Sequence, residues 1–333
     1  MSLTLPLLLA LVSAAPPKDD TVPLRPKKVA TLNAWHAQTP YSLAFAPDGK
    51  TLVACGENFS LQVWDLETGK LTYASLNESD DNRIGSSIAV SADGKRAFVG
   101  ISRAAQVWQL KNPKLATTLV AREERGRKGI AYNVRLAASP DGKQLAITPQ
   151  TDEVQIWDLG TEKRTSSLKC PMSVQAVVYS ADGKRLVASG ESRACVWDTK
   201  TEKLLHEFKA QVDDPRKQSA SDGTLAVSPD GERLAFSTDE GNIALVTVKD
   251  GKETQFPGLM AVFSADGKHL FVVRVQQDGL EVRDATSGKK LATAAIDEHS
   301  MRALAVSPDG KRLAVGYGAG TIILWEVASL IPK

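Results

Sequence analysis

Leu136-Ala-Ala-Ser-Pro-Asp-Gly-Lys-Gln-Leu-Ala-Ile-Thr148 holds the whole plan of the fold in one short stretch. Its centre, Ser139-Pro-Asp-Gly-Lys143, is a turn written residue by residue. Pro140 presets φ near −65°, Asp141 suits the next position, and Gly142 supplies the positive φ that closes a bulged hairpin. Leu136 and Ala138 alternate before the turn, and Leu145-Ala-Ile-Thr148 is a short apolar run after it. Both flanks read as strands.

The same text is written seven times. The copies begin at Ala46, Ser91, Ser139, Ser180, Ser228, Ser264 and Ser307, and their aspartates are Asp48, Asp93, Asp141, Asp182, Asp230, Asp266 and Asp309. The mean spacing is about 43 residues, the length of one four-stranded propeller blade. Downstream of each turn a third strand ends at a fixed place. It ends in Trp64-Asp65, Trp108-Gln109, Trp157-Asp158, Trp197-Asp198 and Trp325-Glu326, with Val246-Thr247 and Arg283-Asp284 in the fifth and sixth copies. The preceding residue is apolar in all seven (Val63, Val107, Ile156, Val196, Leu245, Val282 and Leu324), so the register survives where the Trp is gone. A turn such as Leu66-Glu-Thr-Gly-Lys70 then leads to a fourth strand. The last copy has no fourth strand of its own, and Val29-Ala-Thr-Leu32 is an orphan strand at the other end. Pairing the two closes the ring and removes open ladder edges.

The terminal Trp–Asp pairs and the Pro-Asp-Gly turns resemble the WD40-repeat family, from Val29 to the end. The divergence resembles bacterial, exported members more than eukaryotic signalling ones. The resemblance implies an all-β, seven-bladed propeller of four-stranded antiparallel blades, monomeric and used for binding. A TolB-like periplasmic propeller shares the Ser-Pro-Asp-Gly turn, but the Trp–Asp endings favour WD40. One family mark is nearly absent. Of the His that forms a buried His–Asp network twelve residues before the turn Asp, only His36 remains.

The chain has 333 residues, 42% hydrophobic and 24% charged, with net charge +2. That composition excludes wholesale disorder and gives no general attraction to nucleic acid. Leu3–Val12 is apolar but too short to span a bilayer. With Ser13-Ala-Ala15 after it, the segment reads as a signal peptide (1–14) cleaved after Ala14, which predicts a periplasmic or extracellular protein. Residues 15–28 read as a Pro-rich linker and 29–333 as the propeller. Cys55, Cys170 and Cys195 form no C-x-x-C motif, and the odd count argues against a disulfide scaffold. Cys55 and Cys195 read as core residues, and Cys170, at a loop start, as a candidate exposed thiol.

No nucleotide-binding, zinc-protease or serine-hydrolase motif is present, and no cofactor or metal is implied. His36, His206, His269 and His299 fall in different repeats, and Glu78–Asn82 lacks the order of a calcium loop. The connections at 77–85, 121–132 and 209–222 are the longest between blades. They carry Asp80, Asp81, Arg83, Arg122, Arg125, Arg127, Lys128, Asp213, Asp214, Arg216 and Lys217. Loops on a rigid scaffold commonly hold function, so the expectation is a non-catalytic scaffold that binds a protein or peptide through this face. The alternative is an enzyme or small-ligand binder with its site in the central channel, using Ser42, Arg135 and Thr224.

Overall fold

The computed structural model describes residues 24–33, 38–76, 85–121, 134–211, 224–238, 241–274, 279–296 and 300–332. These residues form seven four-stranded antiparallel sheets. The first strands run Pro40–Phe45, Ser87–Val90, Arg135–Ala138, Ala176–Tyr179, Leu225–Val227, Met260–Phe263 and Met301–Val306. They touch one another in a closed cycle, with the first against the seventh, so the sheets are the blades of a seven-bladed propeller. Six blades take four strands from consecutive sequence. The seventh takes its outer strand, Lys28–Asn33, from the start of the chain.

That outer strand lies antiparallel to Thr321–Glu326, with Ala30 opposite Leu324, Thr31 opposite Ile323 and Leu32 opposite Ile322. The register is the one required to bury Leu32, which packs with Leu43, Phe45, Trp64, Ile322 and Leu324 between blades 7 and 1. The strand begins at Lys28, one residue before the orphan strand read from the sequence. The residues ahead of it are also docked. Leu24 bridges in parallel to Ala294 on the outer strand of blade 6, and its N–H donates to the Thr293 carbonyl at 2.8 Å. The Glu326 amide donates to the Lys27 carbonyl at 2.9 Å. Residues 24–33 therefore span blades 6 and 7.

The repeated turns form as their residues dictate. In the second copy the Ser91 hydroxyl donates to Asp93 Oδ1 at 2.6 Å and accepts from the Arg96 amide at 2.9 Å. The same carboxylate oxygen accepts from the Lys95 amide at 3.0 Å, while Gly94, at φ +68°, closes back on the Ser91 carbonyl. Ser139, Ser180, Ser228, Ser264 and Ser307 repeat the hydroxyl-to-aspartate contact at 2.5–2.7 Å. All six serines are buried. The first copy has Ala46 in this place, and Asp48 accepts instead from the amides of Lys50 and Thr51. The turn aspartate is thus satisfied inside its own hairpin, by a neighbouring hydroxyl rather than by a distant His. The aspartate after the third-strand Trp works likewise. Asp65, Asp158 and Asp198 each accept from the amide and hydroxyl of the Thr three residues on.

The cores lie between blades, not within them. Trp64 packs against Ile322 and Leu324 of blade 7, Trp108 against Val53 and Leu61 of blade 1, and Trp197 against Val154 and Ile156 of blade 3. Each Trp fills the seam with the preceding blade. Blade 6 has no Trp, yet Arg283 in its place keeps the role. Its guanidinium carbon stands 4.2 Å from the Phe256 ring centroid of blade 5, a cation–π stack. Its Nε donates to Glu281 Oε2 at 2.8 Å, and Nη1 donates to the Gly288 carbonyl at 2.9 Å. Glu281 stands two residues before Arg283, as Gln106 and Gln155 stand before Trp108 and Trp157 and accept their indole N–H groups at 3.1 and 3.2 Å. Gln–Trp has become Glu–Arg with the same seam-filling geometry.

Two outcomes follow from these seams and turns. Arg283→Ala leaves the buried Glu281 without its closest partner, and urea unfolding is expected to show a loss of about 3 kcal/mol. The paired change Glu281→Gln with Arg283→Trp rebuilds the pattern of blades 2 and 3 and recovers most of it, whereas equal losses in both variants count against the equivalence. Acid is the second probe. The Ser hydroxyl, with the following backbone amide, holds the Asp93, Asp141 and Asp309 carboxyls below the ordinary carboxylate value against the opposing effect of partial burial. Carboxylates depressed on folding stabilise above their unfolded pKa of about 4 and lose that contribution as pH falls through the folded values. Ser139→Ala is therefore expected to cost about 1 kcal/mol at neutral pH. The cost shrinks when unfolding is measured at progressively lower pH; a pH-independent cost contradicts the assignment.

Candidate functional site

The first strands all start at one end of the ring, and the Asp-Gly turns lie at the other. At the starting end a cavity of about 460 Å³ opens. Its wall is drawn from all seven blades, including Tyr41, Ser86, Arg135, Ala176, Thr224, Met260 and Arg302, so it is the mouth of the central channel. The lining described is apolar and hydroxylic with two cations, Arg135 and Arg302, and contains no Asp, Glu or His.

Most of the polar side chains there are committed to holding neighbouring blades together. Ser42 Oγ accepts from the Ile88 amide of blade 2 at 3.2 Å, and Ser87 Oγ accepts from the Leu136 amide of blade 3 at the same distance. The Ser86 hydroxyl donates to the Val134 carbonyl at 2.9 Å. Thr224 Oγ1 donates to the Leu259 carbonyl of blade 6 at 3.0 Å. Arg135 reaches both ways, donating to the Ser86 carbonyl on one side and from Nε to the Gln175 carbonyl at 3.3 Å on the other. Glycine makes room for these approaches. A Cβ on Gly100 would strike the Val134 carbonyl oxygen of the next blade, and one on Gly190 would strike the Ser173 carbonyl oxygen ahead of its own blade's first strand. The trio Ser42, Arg135 and Thr224 does line the channel, but on different blades and with its polar atoms occupied. Arg302 differs. It is exposed and has no partner among the described residues.

The charged loop residues Asp80, Asp81, Arg83, Arg122, Arg125, Arg127, Lys128, Asp213, Asp214, Arg216 and Lys217 lie outside the described residues, as do His36, His299 and the Glu78–Asn82 run. What the structure adds is where their connections are anchored. Leu76, Ala121 and Gln211 end the outward paths, and Gly85, Val134 and Thr224 begin the return at the channel mouth. His206 is half-buried and stacks on Phe208 with ring centroids 5.7 Å apart. His269 Nδ1 lies 4.0 Å from Asp266 Oδ1 at the opposite end. Cys170 is a correction: it is buried, not exposed, because its loop folds under Met172 and Val174 into the seam with blade 4. Among the described residues no group of three or more His, Cys, Asp and Glu is placed to hold a metal, and no helix is long and apolar enough to cross a membrane. Arg302 is the site residue that the sequence reading missed; its position two residues before the strand alternation sets in, at a channel start, was the available signal.

Residues 26–65 and 288–326 match the WD40 family, described as "WD domain, G-beta repeat". The first range runs from the closing strand through the third strand of blade 1, and the second runs from the outer strand of blade 6 through the third strand of blade 7. The chain is similar to a guanine nucleotide-binding protein subunit beta from Solanum tuberosum, 24% identical over 87% of this chain and 81% of that one. It is also similar to the small ribosomal subunit protein RACK1y of Oryza sativa subsp. japonica, 28% identical over 42% of this chain and 40% of that one. Autophagy-related protein 16 of Arabidopsis thaliana is 22% identical over 68% of this chain and 44% of that one. These matches support the WD40 propeller family. The alignment to the beta subunit covers most of this chain, while the two WD40 matches include the strands that meet at the ring closure.

Proposed function

We propose that this WD40 propeller is an exported, monomeric, non-catalytic scaffold that binds a protein or peptide partner at the end where the channel opens. The observation that carries the reading is the division of labour at the mouth. Ser42, Ser86, Ser87, Thr224 and Arg135 hold blade to blade, which fixes the rim, while Arg302 stands exposed on it. A rigid rim with a cation that has no partner among the described residues, and no described carboxylate in the wall, suits a partner segment that presents a carboxylate or carbonyl to Arg302. The flanking loops, with Arg122, Arg125, Arg127 and Lys128 against Asp80, Asp81, Asp213 and Asp214, supply local charge of both signs for selectivity. The similar proteins, a beta subunit and a ribosomal subunit protein, are by name members of assemblies. The channel-enzyme alternative draws no support from Ser42, Arg135 and Thr224, which stand on separate blades without a carboxylate or imidazole beside them in the described wall.

The test is capture from the native envelope by crosslinking. Arg302→Glu, and separately Arg122, Arg125 and Arg127 all changed to Glu, are expected to lose a partner that wild type retains. Lys143→Glu, at the opposite end of the ring, is expected to keep it. Rising salt should weaken capture. A set of partners that is the same for all variants contradicts the assignment of this face. Export has its own readout. The mature chain recovered from the periplasm or medium is expected to begin at Ala15, and recovery of full-length chain from the cytoplasm alone contradicts it.

A further inference from the structure

The three cysteines of the chain share no motif spacing, yet two of them meet. Cys170 follows the outer strand of blade 3, Lys163–Lys169, and its amide is tied to the Asp152 carbonyl at 2.8 Å. Cys195 sits in the third strand of blade 4, Arg193–Asp198, opposite Ala188 on one side and Glu207 on the other. Both side chains are buried in one apolar cluster across the seam of the two blades, among Val154, Leu168, Met172 and Ala188. There the two thiols interact directly, and the contact raises the pKa of the Cys170 thiol while it lowers that of Cys195. The third cysteine is elsewhere, in the seam of blades 1 and 2 with Val53, Leu61 and Trp108.

We propose that Cys170 and Cys195 form a disulfide that staples blade 3 to blade 4 when the chain folds in the presence of a small-molecule disulfide such as glutathione disulfide. The odd cysteine count is no obstacle, because Cys55 is the one left over. One of the two thiolates attacks one sulfur of the glutathione disulfide, forming a mixed disulfide and expelling one glutathione thiolate. The other cysteine then loses its thiol proton and attacks the protein sulfur of that mixed disulfide, which breaks it and expels the second glutathione thiolate. Two electrons pass from the cysteine pair to glutathione, and the two thiol protons end on two glutathione molecules. Burial of both sulfurs places this exchange in folding rather than in the finished ring. The staple closes a loop of about 25 residues, a size at which cross-linking restricts the unfolded chain appreciably. It does not depend on the partner-binding reading.

The experiment is refolding of the purified chain from denaturant in a buffer of reduced and oxidised glutathione, followed by denaturation, thiol counting and peptide mapping. Cys170 and Cys195 fall in separate tryptic peptides, since cleavage follows Lys169 and Arg193. The expected result is one free thiol, at Cys55, and a reducible peptide pair joining Cys170 to Cys195. The oxidised protein should melt above the reduced one, and the gap should vanish in Cys170→Ser and persist in Cys55→Ser. Three free thiols, a lasting glutathione adduct, or a bridge involving Cys55 would overturn the proposal. The mapping is done on the unaltered chain, so a Ser variant that fails to fold does not leave the question open.

Discussion

A ring of blades whose cores lie in the seams is only as sound as its last seam. Here that seam depends on one strand pairing, Lys28–Asn33 against Thr321–Glu326. It places Leu32 in the cluster of Leu43, Phe45, Trp64, Ile322 and Leu324, so the same contact that completes the seventh sheet also completes the core between blades 7 and 1. Without it, the third strand of blade 7 presents an unpaired edge and the first blade loses one wall of its core. Leu24, bridged to Ala294, extends the same clasp across blade 6. Stability of the ring is therefore shared among seams and not stored in any one blade.

The seams also explain how the chain tolerates the loss of its repeat marks. A Trp at the end of a third strand is a large apolar plug for the seam with the preceding blade, and in blades 2 and 3 its indole N–H donates to the Gln two residues back. Arg283 does the same work with a flat guanidinium on Phe256, and its charge is met by Glu281 in the Gln place. The turn aspartates show a similar substitution of means. In six of the seven copies their partner is a buried serine hydroxyl within the turn, and in the first it is backbone amides, so each hairpin satisfies its aspartate locally. At the channel mouth the polar side chains of the first strands tie blade to blade, which leaves Arg302 as the exposed charged group of the described rim.

The fold was legible because it is repeated and because its turns are chemically explicit. Seven Asp-Gly turns and an apolar residue before each third-strand end fix strand register without any knowledge of tertiary contacts, and the missing fourth strand of the last copy pointed at residues 29–32. What was not legible depends on how blades meet. The contact of Cys170 with Cys195 crosses a seam, and nothing in their separation along the chain encodes it. The docking of Leu24 reaches back to blade 6 from a segment whose proline and charge content reads as linker. The commitment of Ser42, Arg135 and Thr224 to neighbouring blades turned possible reactive groups into mortar. The charged connections that drew attention as a binding face are distinguished by length and composition alone, which says where a partner could touch and not which one.

The most direct test of the ring is a cross-link at its closure. Thr31→Cys together with Ile323→Cys puts a thiol pair at facing positions of the closing strands. In mild oxidant, peptide mapping is expected to find a bond between positions 31 and 323, with a higher melting temperature than the reduced double variant. Failure of that bond to form while the far-UV spectrum remains that of a folded β protein, or a bond from position 31 to a native cysteine of another blade instead, would contradict closure by this strand.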